Sequence, residues 1–138
     1  MNKGQVFMSG GLLLALILCA ALGSAMDQQA APTENKGVTI KQLSSVDLGP
    51  EIEGMGGRQL RLRMITIEPG GYVGIHSHKD RPGAVYVLQG KITNHLGNVA
   101  KEYVEGETWS ENKETTHWVE NKGTTPVILI LTDIFKQP

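Results

Sequence analysis

The chain holds four histidines, His76, His78, His95 and His117. His76 and His78 stand two apart in Tyr72 to His78, a segment that follows Glu68-Pro69-Gly70-Gly71 and reads as a strand. Side chains two apart on a strand leave the same face, so both imidazoles project together. Two neighbouring imidazoles begin a clamp for a borderline divalent metal such as Zn, Fe, Ni or Cu. An exposed chance pair has the same spacing, so the elements around the histidines must decide between the two.

Those elements read as short strands. Beyond Gly37, apolar or alternating runs are separated by turn residues: Val38 to Leu43, Gln59 to Ile67, Tyr72 to His78, Ala84 to Leu88, Lys91 to Leu96, Val99 to Val104, a weak Thr108 to Ser110, Thr116 to Glu120 and Pro126 to Phe135. No stretch carries a helical apolar face. Many short strands at close spacing predict an all-β sandwich or small barrel. Val127 to Leu131 is almost wholly apolar, which predicts burial on both faces. The Gly- and Pro-rich segment 44–57 predicts a loop across one end of the barrel.

The composition fits one small domain. The chain has 138 residues, a formal charge of −1 and no block of like charge, which argues against a nucleic-acid binder and against a charged interaction tail. Its N-terminus reads as an address. Lys3 precedes an apolar run from Leu12 to Leu22, and Gly23-Ser24-Ala25 gives a small-residue exit, the pattern of a secretory signal peptide cut after Ala25. An uncleaved anchor at the inner membrane is the alternative, and acylation at Cys19, the only cysteine, a third. The expected organisation is a signal peptide over 1–25, a flexible leader over 26–37 and one barrel domain over 38–138, in a periplasmic or secreted protein. The barrel would then contain no thiol.

Two longer patterns surround the histidines. Gly70, His76-Ser77-His78 and Gly90 form the first; Gly106, His117 and Asn121 form the second. Together they resemble the two motifs of the cupin superfamily, over roughly Gln59 to Phe135. The resemblance implies a double-stranded β-helix, or jelly-roll, barrel. It implies that His76, His78 and His117 are metal ligands and that Asn121 is a structural residue in the turn after the ligand strand. It also implies a homodimer. Two departures stand out. The first motif expects a metal-binding Glu where this chain has Gly83, with Pro82 at the alternative register, and the Pro-x-Gly before the second-motif histidine is replaced by Asn112-Lys113-Glu114. Asp80, in phase with His76 and His78, and Glu114 are candidates to replace the missing carboxylate. His95 lies outside both motifs and reads as an exposed strand-end residue. Tyr86, Glu114 and Arg63 read as surface or packing residues rather than pocket groups. Trp118 is expected to face away from His117.

A three-His site leaves a divalent metal its full charge, which favours anionic ligands and activates bound water. Zn, Cu, Fe, Ni and Mn all remain open. The resemblance implies a dioxygenase-like oxidoreductase on a small organic molecule. The alternatives are a non-catalytic small-molecule-binding or sensor module and a sugar or small-acid isomerase. No catalytic base is evident beside the histidines. The only membrane contact expected is through the signal segment.

Overall fold

The computed structural model describes residues 30–136. The expected signal peptide, the first part of the leader and Cys19 lie outside these residues. The described chain is all strand and turn: β1 (Lys36–Asp47), β2 (Arg58–Ser77), β3 (Gly83–Gln89), β4 (Lys91–Leu96), β5 (Val99–Val104), β6 (Thr108–Glu111), β7 (Thr116–Glu120) and β8 (Val127–Lys136). All pairings are antiparallel, in the order β5-β4-β7-β2-β8-β3-β6, with β1 added on β2. The jelly-roll barrel expected from the sequence is therefore present.

β2 is the spine. Two separate strands are expected over 59–67 and 72–78, yet they form one element that runs through Pro69-Gly70-Gly71, where Gly70 has φ 70°. Its first half pairs with β1 and β8, and its second half pairs with β7. One strand thus serves both sides of the barrel. The loop expected over 44–57 is shorter than predicted, because β1 continues to Asp47 on β2. The expected leader also ends earlier. Lys36 already pairs with Tyr72, the Pro32 carbonyl accepts the Ile75 N–H at 2.7 Å, and Asn35 Oδ1 accepts the Gly74 N–H at 3.0 Å. Gly74 permits this approach, since a Cβ there would lie 2.8 Å from the Glu34 carbonyl oxygen.

The interior is built in lateral layers. Ile67 pairs with Val127, Ile65 with Leu129, and Leu129 with Val87, all buried and apolar. Trp109, Val85 and Leu131 form the next layer, with Arg63 at its edge on β2. β8 alternates fully buried with half-buried residues, so Val127 to Leu131 buries one face completely and not both, as had been expected. The reason is that β8 belongs to one eight-stranded sheet, and among the described residues there is no second sheet or helix to cover its outer face.

Asn121 ties the turn after β7 to this core. Its buried Nδ2 donates to the Ile67 carbonyl at 3.0 Å and the Thr125 carbonyl at 2.8 Å, and its Oδ1 accepts from Gly123 N at 2.9 Å. The structural role expected for Asn121 is what these bonds perform. Asn121→Ala leaves all three backbone groups without their partner and is expected to destabilise the fold by about 2–4 kcal/mol. Denaturant unfolding measures this, and a loss below about 0.5 kcal/mol contradicts the anchoring role.

Candidate functional site

His76 and His117 are direct cross-strand partners on β2 and β7, so their side chains share the interior face. His78, just beyond the end of β2, joins them by the period-2 rule. Their Nε2 atoms converge: that of His78 lies 3.0 Å from that of His76 and 3.0 Å from that of His117. The three residues can offer ligand atoms that all lie within 4.8 Å of one another.

Each ring is oriented through its other nitrogen. His76 Nδ1 lies 2.8 Å from the Gly74 carbonyl, His78 Nδ1 3.1 Å from the Arg81 carbonyl, and His117 Nδ1 2.8 Å from Asn94 Oδ1. All three partners are oxygen acceptors, so each ring can carry its proton on Nδ1 and offer its Nε2 lone pair to a metal. Oxygen partners behind the ring are the usual support for a metal-ligating histidine.

Three lone pairs aimed at one another repel unless a cation lies among them. Burial disfavours a proton on His76 and on His78. Burial, with the neighbouring histidines and Arg81 adding to it against the Gly74 carbonyl, pushes His76 down to about 4. Burial also lowers His78, against the opposing effects of Glu111 and the Arg81 carbonyl. The donor set therefore fits a divalent metal ion.

A carboxylate does stand beside position 83, on the neighbouring strand. Gly83 pairs directly with Glu111 on β6. The buried Glu111 side chain reaches over the glycine, placing Oε2 3.2 Å from His78 Nδ1 and Oε1 3.3 Å from His117 Nε2. A Cβ at position 83 would lie 3.2 Å from Glu111 Oε2 and 2.9 Å from the Thr132 carbonyl, so the glycine gives Glu111 its room. Trp109 Nε1–H donates to Oε1 at 3.1 Å, while Oε2 has no hydrogen-bond donor among the described residues. Burial acts to raise the Glu111 carboxyl, but His117, His78 and the Trp109 N–H outweigh it, holding the group below its usual range and ionised at neutral pH.

Neither expected substitute for that carboxylate is at the site. Asp80 sits in the turn after β2 with φ 62° and is exposed, and Glu114 is exposed beside Lys113. The chain turns before Asp80 can continue the face of His76 and His78. Arg63, read as a surface or packing residue, lines the cavity in front of the histidines; Tyr86 is exposed, as expected. His95 is not an exposed end residue. It bonds Glu120 at 2.7 Å and stacks on Trp118 at 3.8 Å between ring centroids, on the face away from His117. Asn94 and Glu111 escaped the sequence reading because their roles depend on strand register. The available signal was Trp109-x-Glu111, which puts both side chains on one face of β6.

The cavity holds about 270 Å³. Ile65, Val85, Trp109, Leu129 and Leu131 supply apolar wall, and Thr33 and Asn35 reach it from the N-terminal segment. A small β-barrel with a cluster of imidazoles lining an internal cavity is the class that fold and site define. The chain belongs to the cupin family: the cupin domain model (Cupin_2) matches residues 63–134. Among solved structures, it resembles a predicted oxalate decarboxylase from Thermotoga maritima at 18% identity and TM-score 0.60, covering 77% of this chain and 94% of that one. It resembles the polyketide cyclase RemF from Streptomyces resistomycificus at 17% identity and TM-score 0.60, covering 78% and 72%. It also resembles the Cnp3 cupin domain of Schizosaccharomyces pombe at 14% identity and TM-score 0.58, covering 71% of this chain and spanning 64% of that one. These identities establish the shared fold. No curated protein matches the sequence significantly.

The His76 shift predicts how the metal-free fold responds to acid. Its folded pKa lies below its unfolded value, so the unfolded chain binds more protons between these values. Its contribution is complete above about pH 6.5 and declines as pH falls towards about 4. Unfolding of the metal-free protein at pH 7.5 and 5 is expected to show lower stability at pH 5, with the difference reduced in His76→Gln. An equal pH dependence in the two proteins contradicts the assignment.

Proposed function

We propose that this protein is an exported, metal-dependent cupin that carries out dioxygenase-like oxidation of a small organic molecule. The observation that supports this most is the convergence of three Nε2 lone pairs beside an ionised Glu111, at the wall of a cavity large enough for a small substrate. His76, His78 and His117, which line the cavity, would hold the metal. When bound, a redox-active ion would supply dioxygen chemistry, and a redox-inert one Lewis-acid activation of water or substrate.

The chain's own groups account for the remaining steps. The apolar wall excludes bulk water and strengthens the electrostatics of the site. Asn94 and the Gly74 and Arg81 carbonyls hold the imidazoles in register. Glu111 Oε2, with no donor of its own, is the available base to accept a proton from a substrate in the cavity. That base also supports a redox-neutral reading, proton transfer of the kind an isomerase uses. Oxygen consumption separates the two.

Export rests on the basic start, apolar run and small-residue exit of residues 1–25. A chain that crosses a membrane unfolded acquires its metal afterwards, when the Irving–Williams order favours Cu or Zn. The homodimer is supported by exposed Val46, Leu60 and Leu62 on β1 and β2.

Elemental analysis of protein from its native compartment is expected to find Cu or Zn near one per chain, Cu serving the oxidative reading and Zn only the redox-neutral one, and at least about tenfold less in His76→Ala and His117→Ala. Equal metal in all three proteins removes the site, and stoichiometric Fe overturns the loading order. Glu111→Gln is expected to retain metal while lowering turnover by about 100-fold or more, the scale of a lost general base. Unchanged turnover in that variant contradicts the role given to Glu111.

A further inference from the structure

One end of the barrel interior is a polar row. Arg61 on β2 pairs with Asp133 on β8, Asp133 with Gly83 on β3, and Gly83 with Glu111 on β6. Asp133 is buried and crowded by cations. Arg61 grips both its oxygens, Nε to Oδ1 at 3.0 Å and Nη2 to Oδ2 at 2.8 Å, and Arg63 Nη2 donates to Oδ2 at 2.8 Å. Arg81 Nε stands 3.8 Å from the same oxygen. Arg61 also covers the Phe135 ring at 3.8 Å. Arg61 is therefore well partnered, but the other two are not. Of the Arg63 side-chain donors only Nη2 has an acceptor among the described residues, and Arg81 has none; the Nε of each is buried and unbonded. Both Arg63 and Arg81 line the cavity with His76, His78 and Glu111.

Charge and place agree. Three guanidinium groups face two carboxylates, Asp133 and Glu111, so this end of the barrel is positive before any metal binds, and a divalent ion adds to the excess. Donors left unpaired in a desolvated site favour a ligand that brings acceptors. The Arg81 side chain lines the same cavity as His76, His78 and His117. An anion held by its guanidinium would therefore lie close to the imidazole cluster.

We infer that the cavity takes a small organic acid, its carboxylate held by Arg63 and Arg81 and its apolar part lying against Val85, Trp109 and Leu131. This deepens the proposed function by naming the substrate class, and it rests on that reading for chemistry but not for binding. The test uses calorimetric titration of the purified full chain with benzoate, with propionate, and with benzamide, the neutral isostere of benzoate. Benzoate is expected to bind at least about tenfold tighter than benzamide, as a charge-assisted contact requires. Arg81→Gln and Arg63→Gln are each expected to weaken benzoate by about tenfold while leaving benzamide unchanged, and Arg81→Lys to restore part of the loss. Arg81 makes no side-chain hydrogen bond among the described residues, and Asp133 keeps its closer bonds to Arg61 and Arg63 without it, so its variants keep the test sharp should Arg63→Gln unfold. Equal affinity for acid and amide, no binding of benzoate or propionate, or an Arg81→Gln protein that binds benzoate like wild type overturns the inference. Benzoate binding that depends on Arg81 in a chain without metal or oxygen uptake upholds the acid site and removes the oxidative function. Metal and turnover on neutral substrates alone do the reverse.

Discussion

The antiparallel register of the barrel, which sets His76 opposite His117 and Gly83 opposite Glu111, is the constraint on which the site depends. A slip of one residue in either ladder would turn those side chains out of the barrel. The register is held by the apolar layers of β2, β8 and β3, where each fully buried Ile, Leu or Val contributes about 1.5–3 kcal/mol that a slip would forfeit. The rows that form the core thus also align the chemistry one or two layers away.

The two ends of the interior obey different physics. The Ile67–Val127 end is packed from apolar side chains, with Asn121 bonded to its backbone. The Asp133 end is charged, and a buried charge is tolerated only when paired and hydrogen-bonded. Arg61 and Arg63 meet that condition for Asp133. Glu111 meets it in part, through Trp109 and the histidines, and keeps one oxygen without a donor. That incompleteness is what separates a structural polar network from one with capacity left for a ligand.

Much of this was legible in the sequence. Alternation and turn residues identified nearly every strand, and the shared face of His76 and His78 follows from spacing alone. Placing His117 with them needed the family resemblance, because the two strands are far apart in the chain and only register joins them. Spacing along the chain points to Asp80 after β2 and Glu114 before β7, whereas Glu111 reaches the histidines across a ladder, through the gap that Gly83 leaves. The same limit hid Arg63. Its position in β2 shows a charged residue amid apolar neighbours, but the facing Asp133 lies in β8, and pairing across strands cannot be read from either segment alone.

Anomalous diffraction at the metal edge from crystals of the metal-loaded protein tests the central claim most directly. The account predicts one strong peak per chain, bounded by the Nε2 atoms of His76, His78 and His117 at about 2.0–2.2 Å each, with the Glu111 carboxylate facing it. A peak held by other residues, or none in crystals whose solution carries stoichiometric metal, would contradict it.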